Sequence, residues 1–282
     1  MIREITEDNV SDLTQYLGED VAENIGREYF YGLGLFDALE EPAAALVWCI
    51  KNTDCFDDAQ AELCFFSYEN EEDGRELLQE YSERVLDENV IRSFFEFEGL
   101  GKDNEQMLKH AGFKVKKTEG KNLFVKLEEL SEMRFAAKKS TPSYIVSLDR
   151  VTQAQFKQGV TNCMFAGRAG VNEDLAMLPM EWYEKEISAC VITDGKAKGF
   201  LLIHRRPSGI LMPVLLYASG VDARKEMLNM MRFCINAAVK KYPGDTKVLI
   251  YRYDDNTRSL SSYLFPGKKG DKVTVGERAE SE

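Results

Sequence analysis

The stretch Lys247–Leu264, KVLIYRYDDNTRSLSSYL, constrains the fold most because two different periodicities meet in it. Its first seven residues, Lys247–Tyr253, are rich in β-branched and aromatic side chains and predict a strand. Asp254–Asn256 predicts a turn, and apolar residues recur at helical spacing from Thr257 onward. The stretch therefore predicts a strand, a turn and a helix in direct succession, which is typical of the mixed α/β class.

The first half of the chain contains a similar order of elements. Val90–Phe97 predicts a strand and Lys102–Ala111 a helix, and Gly112-Phe113 closes that helix. Two charged, alternating runs follow at Lys114–Lys117 and Asn122–Leu127, and we expect them to form a hairpin. The chain therefore contains the same arrangement twice.

Asn256 is followed by Ser259 and by Tyr263, seven residues further on. This spacing resembles the N-x-x-(A/S)-x-x-x-Y pattern between the fifth strand and fourth helix of the GNAT superfamily, the acetyl-CoA-dependent N-acyltransferases. A helix, Gly-Phe and a hairpin is also the usual ending of a GNAT domain. The resemblance implies an α/β fold of two GNAT-like domains in tandem, each with a central, mostly antiparallel mixed sheet flanked by helices. A different mixed α/β fold is the alternative, and strand order separates the two.

We expect the domains at residues 1–130 and 144–282, because residues 131–143 lose periodicity and end in KKSTPS, as a linker does. Residues 1–130 contain 31 acidic and 13 basic residues, a balance of −18, whereas the rest of the chain has a balance of +6. The phosphates of coenzyme A favour the basic domain as their host. The acidity of the whole chain, −12, argues against nucleic acid as a partner.

Targeting signals and metal motifs are not found in the sequence. There is no apolar run of membrane-spanning length, and the charged N-terminus MIREITEDNV lacks a signal core, so we expect a cytoplasmic protein that does not enter a membrane. The six cysteines form no C-x-x-C pair and are interpreted as buried free thiols. With only two histidines, no metal site is expected.

The first domain departs from the family pattern where coenzyme A would bind. In active GNAT domains a loop (R/Q)-x-x-G-x-(G/A) opens a helix and holds the pyrophosphate. Here Tyr68–Gly74 carries four acidic residues in the position of that loop. Leu108 stands where the family has the tyrosine that protonates the leaving thiolate. Carboxylates at a helix N-terminus already satisfy its dipole, so we expect this domain to lack acyl-CoA chemistry. Glu62, Glu96 and Glu98 are either general bases or the solvent face of strands.

The second domain keeps more of the pattern. Pro213 interrupts the predicted strand Gly209–Ala218, which fits either a bulge or an edge strand; in GNAT folds this strand is bulged and acyl-CoA inserts beside it. Ser219-Gly220 leads into the helix Ala223–Lys241, although the consensus loop is absent and Asp222 is a competing cap. The resemblance implies that acetyl-CoA or another acyl-CoA contacts Leu216, Tyr217, Ala218, Ser219, Gly220, Arg224 and Asn256.

Tyr263 occupies the family's catalytic position and is predicted to protonate the departing thiolate; the alternative is a ring packed on the sheet. The first hypothesis is therefore an N-acyltransferase that acts on an amine of a small molecule or peptide, read by Asn162–Leu178. The second is a catalytically inactive GNAT-like module that binds a ligand or a partner protein. The sequence does not indicate an oligomeric state.

Overall fold

The computed structural model describes residues 1–27, 29–51, 59–138, 140–165, 180–252 and 254–280. The described helices are α1 Val10–Leu17, α2 Glu19–Ala22, α3 Glu71–Asp87, α4 Lys102–His110, α5 Leu127–Ser131, α6 Gln153–Phe165, α7 Ala223–Lys241 and α8 Asp255–Leu264. The described strands are β1 Ile2–Glu4, β2 Phe30–Phe36, β3 Pro42–Lys51, β4 Ala59–Tyr68, β5 Val90–Glu98, β6 Lys114–Lys126, β7 Ile145–Ser147, β8 Ala189–Thr193, β9 Lys196–Arg205, β10 Leu211–Ala218, β11 Lys247–Tyr251 and β12 Asp271–Ala279.

The chain divides into two compact units. Unit 1 comprises Met1–Glu119 and Lys272–Glu282, and unit 2 comprises Gly120–Asp271. In unit 1 the strands follow the order β1-β2-β3-β4-β5-β12. The β4–β5 pair is parallel and the other neighbours are antiparallel. Two cores flank this sheet, one built around Leu13 of α1 and one around Leu77 of α3.

Unit 2 repeats this arrangement. Its strands follow the order β6-β11-β10-β9-β8-β7, with β10–β11 as the parallel pair. Phe156 of α6 packs on Phe200 on one face of the sheet, and Met230 of α7 belongs to the core on the other face. The Asp194-Gly195 hairpin is confirmed: both residues have positive φ, 52° and 70°, as its two-residue turn requires.

The division differs from the expected one in the assignment of two strands. The expected hairpin is a single strand, β6, which passes through Gly120 at φ 85°, and its last residues from Asn122 pair with β11 in unit 2. Strand β12 lies within the expected second domain, but it pairs with β5 from Val273 to Ala279 and belongs to unit 1. Alternation along a strand shows which residues face the core, but it does not identify the partner strand.

The segment expected as a linker is packed within unit 2. Ala136 is buried, and the Arg232 guanidinium of α7 donates a hydrogen bond of 2.8 Å to the Phe135 carbonyl. Asn236 of the same helix contacts the Lys138 carbonyl. The loss of periodicity in this segment therefore reflects an irregular backbone that is held by α7.

Candidate functional site

The strands β10 and β11 start side by side and then separate. In the described chain they pair at Leu211 with Val248, near their N-terminal ends. Beyond that point β10 stays paired with β9 as far as Ala218, and β11 stays paired with β6 as far as Tyr251. Because both outer neighbours continue, a gap opens between β10 and β11 toward their C-terminal ends.

A bulge in β10 lies beside the point where this gap begins. The register with β9 shifts between Pro213 and Leu215, which makes Val214 the extra residue. A proline has no N–H to donate to a ladder, so it is tolerated at such a position. The predicted bulge is confirmed, and the edge-strand alternative is wrong because β10 is flanked by β9 and β11.

The backbone of β10 offers hydrogen-bonding groups to the gap. The Ser219 amide donates to the Lys198 carbonyl at 2.9 Å, so the backbone groups of Ser219 and Tyr217 face β9. Strand alternation then directs those of Leu216 and Ala218 toward the gap. The Leu216 and Ala218 side chains pack with the core that contains Met230 of α7. The Tyr217 side chain packs with the core on the opposite face, which contains Phe156 of α6.

The first turn of α7 is open. Gly220 has φ 94° and nothing within 4 Å of where a Cβ would stand. Asp222 is the N-cap residue but makes no side-chain cap bond, so the expectation that it occupies the helix amides is wrong. The Arg224 and Lys225 amides donate no hydrogen bond within the part of the chain that the structure describes. Those amides, with the Arg224 guanidinium, form a favourable place for an anion.

The helix α8 starts at Asp255, four residues after β11 ends at Tyr251, and so lies at the wide end of the gap. Asp254 caps it by accepting from the Thr257 amide at 2.7 Å, which places Asn256 inside the first turn. Tyr263 lies on the same face two turns later and is 79% exposed, so the alternative that its ring packs on the sheet is wrong. The structure thus presents both side chains to solvent.

Unit 1 has a similar pair of diverging strands, but the first turn of the helix that follows is already occupied by the unit's own side chains. β4 and β5 pair only as far as Glu62 with Phe94, and β4 also carries a bulge. However, α3 already begins at Glu71, where the Asn70 side chain accepts from the Asp73 amide at 3.0 Å. The Tyr68 ring lies so close to Gly74 that an added Cβ would be 2.8 Å from it. An anion at the start of α3 would therefore meet the carboxylates of the first helical turn and the Tyr68 ring.

The other unit 1 residues considered as candidate site residues differ in their burial. Leu108 is fully buried. Glu62 is buried as well, so the solvent-face interpretation is wrong for this residue. Glu98 is exposed at the end of β5, and Glu96 is half-buried.

Sequence analysis missed a histidine near the β10 bulge, because it considered histidines only as metal ligands. His204 of β9 pairs with Met212, and its ring stacks on Trp182 with 3.7 Å between centroids. Its Nδ1 lies 2.8 Å from the Trp182 carbonyl, which only accepts, so Nδ1 carries the proton. In the neutral ring the basic lone pair is then on Nε2.

Two buried thiols are poor nucleophiles, and the described part of the structure contains no metal cluster. The five described cysteines form no disulfide, and burial raises the pKa of the Cys190 thiol to about 12. Burial also raises the pKa of Cys234, so neither thiol is a nucleophile at neutral pH. Among the described residues no group of His, Cys, Asp and Glu side chains is arranged to hold a metal ion. None of the described helices is long and apolar enough to cross a membrane.

No protein-family model and no curated protein matches the sequence. Solved structures do resemble it. A tandem GNAT protein from the clavulanic acid biosynthesis pathway, without acetyl-CoA, superposes with a TM-score of 0.65 at 8% identity, covering 100% of this chain and 99% of the other. A putative acetyltransferase from Pyrococcus horikoshii gives 0.54 at 14% identity, covering 100% and 89%.

A glucosamine N-acetyltransferase region of a fungal multi-domain β-N-acetylglucosaminidase gives a TM-score of 0.58 at 9% identity, covering 98% of this chain and 38% of the other. Identities this low carry information about the fold alone. Together with the one parallel strand pair in each unit, these similarities show that the chain has the tandem GNAT fold predicted from its sequence.

Proposed function

We propose that unit 2 binds an acyl-CoA in the gap between β10 and β11 and transfers its acyl group, most simply acetyl, to an amine of a small molecule or peptide. The observation that carries the proposal is the separation of these strands after Leu211 and Val248. Beyond Leu211 the strand β10 is paired with β9 but not with β11, and it leads directly to the open first turn of α7.

The chemistry of the gap fits the parts of coenzyme A in order. The backbone groups of Leu216 and Ala218 meet the two amides of the pantetheine arm as an added strand would. Ser219, Gly220 and Arg224 meet the pyrophosphate, which gains from helix amides and a guanidinium together. Tyr217 and Asn256 complete the set that we assign to the cofactor, Tyr217 from β10 and Asn256 from the start of α8.

In the transfer step the amine nitrogen attacks the thioester carbonyl, so a C–N bond forms and the C–S bond breaks. The amine proton must leave, and His204 Nε2 is the basic nitrogen that we assign to receive it. The departing thiolate must gain a proton, and the exposed Tyr263 phenol is the group that we assign to donate it.

A catalytically inactive module is the second candidate, and one observation favours it. The connection between β10 and α7 contains a single glycine, Gly220, in place of the consensus loop. In this case unit 2 would hold a ligand in the gap without turnover.

Calorimetry of acetyl-CoA binding tests the proposal. We expect Arg224→Glu to weaken binding by about tenfold or more, because it replaces a charge-assisted hydrogen bond by repulsion. Arg150→Glu is the control, since Arg150 follows β7 at the far end of the unit 2 sheet. Absence of binding to the wild type at millimolar acetyl-CoA would refute the proposal.

Turnover of amine acceptors separates the two candidates. If the enzyme proposal holds, Tyr263→Phe lowers kcat while acetyl-CoA affinity stays unchanged, because the phenol proton is needed only as the C–S bond breaks. Binding without turnover of any amine in a broad panel of small amines and peptides favours the inactive module.

A further inference from the structure

Two cysteines on neighbouring strands of unit 1 have their sulfur atoms in contact. The Sγ atom of Cys49 on β3 lies 3.7 Å from the Sγ atom of Cys64 on β4. Both residues are half-buried, whereas the other three described cysteines are buried. The two sulfurs are therefore close to each other and within reach of a small molecule in solution.

The bulge in β4 brings these side chains together. The register between the strands shifts after Val47, which makes Cys64 the extra residue of β4. By alternation Cys49 is on the same face of β3 as Val47. Val47 and Cys64 both pack with the core around Leu13 of α1. The two sulfurs therefore lie on one face of the sheet and meet diagonally across the two strands.

The distance between the sulfurs is that of a reduced pair that can close into a disulfide. The sulfurs of a disulfide are about 2.05 Å apart, so each of them has to move by less than about 1 Å. Diagonal neighbours in a regular ladder are about 7–8 Å apart, at the upper limit for a disulfide. A bulge bends its strand and disrupts the ladder locally, and this accounts for the contact between the two sulfurs.

The structure also favours this pairing over others. Cys64 Sγ lies 3.2 Å from the Glu62 carbonyl oxygen, which accepts from its thiol, and this contact holds the side chain next to Cys49. The remaining described cysteines, Cys163, Cys190 and Cys234, belong to unit 2. Cys49 is therefore the partner that Cys64 meets in the described part of unit 1.

We propose that Cys49 and Cys64 form a redox-active dithiol, which small-molecule disulfides oxidise to an intramolecular disulfide and which small thiols reduce again. In the first step one thiolate attacks glutathione disulfide, which gives a mixed disulfide and releases one glutathione. The second thiolate then attacks the protein sulfur of the mixed disulfide, and the second glutathione leaves. The two thiols lose two protons and two electrons, and the two released glutathione thiols take them up.

This disulfide would fix the bulge beside the gap in unit 1. The last residue of β4 that pairs with β5 is Glu62, two residues before Cys64. A cross-link between β3 and β4 at this point holds the bend of β4 where the strand separates from β5. The pair belongs to unit 1, so the proposal does not rest on acyl transfer by unit 2.

Equilibration of the full chain in glutathione redox buffers, followed by alkylation and peptide mapping by mass spectrometry, tests this pair. At about 1 mM glutathione, the disulfide between Cys49 and Cys64 should exceed mixed disulfides by about tenfold or more, because the neighbouring thiol acts at a far higher effective concentration. Dithiothreitol should restore both thiols.

Cys49→Ser is expected to leave Cys64 as a mixed disulfide with glutathione, because the thiol that would displace glutathione is missing. Cys55→Ser is the matched control, since it removes the third cysteine within Met1–Glu119 and should leave the disulfide unchanged. The proposal is overturned if the wild type forms no disulfide between Cys49 and Cys64, if mixed disulfides predominate, or if Cys55→Ser abolishes the cross-link.

Discussion

Replacement of Arg278 by methionine should destabilise unit 1 severely, although the residue lies near the end of its last strand, β12. The side chains of Arg278 and Glu280 are 11% and 5% exposed, and they pair at 2.8 Å. The substitution leaves the Glu280 carboxylate buried without its partner and also removes the bond to the Ala111 carbonyl. Breaking a buried ion pair on one side costs roughly 3–5 kcal/mol, and this is the loss that we expect.

A second ion pair on β12 and β5 supplies the control. Arg92 and Glu277 pair at 3.2 Å, but both side chains are about half exposed, 47% and 49%. Exposed pairs contribute about 1 kcal/mol or less, so Arg92→Met should cost little. The double variant Arg278→Met, Glu280→Met should regain most of the loss, because no buried charge remains.

Native-state hydrogen exchange of the β5 and β12 amides is the appropriate assay, since a chain of two units need not unfold in one step. The free energy of opening should fall strongly in Arg278→Met and hardly in Arg92→Met. Equal losses in these two variants, or a double variant less stable than Arg278→Met alone, would show that the buried charge is not the cause.

Three further predictions concern local features. Asp254→Ala should cost about 1 kcal/mol through the lost cap of α8, whereas Asp222→Ala, which removes no cap bond, should leave the melting temperature nearly unchanged. Gly74→Ala should cost roughly 1–3 kcal/mol in thermal unfolding, because its Cβ would meet an aromatic ring at 2.8 Å. Burial raises the pKa of Glu184, but hydrogen bonds from Tyr242 and a lysine outweigh burial and hold it below the ordinary value. The ionised Glu184 carboxylate therefore stabilises the fold at pH values above its unfolded pKa, and this stabilisation is lost as the pH falls through its folded pKa. Glu184→Gln should not show this loss when the free energy of unfolding is measured in urea at acidic pH.

The sequence predicts those parts of the fold that depend on local patterns. The Asp194-Gly195 turn follows from the φ values that two residues must adopt, and the bulge follows from the missing N–H of Pro213. The strand and helix in Lys247–Leu264 are likewise confirmed, with boundaries that differ by a few residues. Each of these signals is contained within a few neighbouring residues.

Features that depend on distant partners are not predicted. Strand β12 pairs with β5 across a separation of more than 170 residues, and its alternation is compatible with any sheet. The same holds for Arg278 and His204, whose hydrogen-bond partners, the Ala111 and Trp182 carbonyls, are distant in sequence. Asn162–Leu178 was expected to shape the acceptor site, and all of it beyond Phe165 lies outside the described residues.

The two units share the diverging strand pair and differ in the helix turn that follows it. In both, the parallel strand pair ends early and the strand before the long helix is bulged, so the gap is a property of the sheet itself. The difference lies in the first helical turn: Asn70 caps α3 and Tyr68 packs on Gly74, whereas Asp222 leaves the amides of α7 open. Under the proposed function, the difference between a unit that binds an anion and one that does not lies in this single helical turn, while the sheet and its gap are the same in both. The proposal therefore assigns acyl-CoA binding to the strand-to-helix connection rather than to the sheet alone.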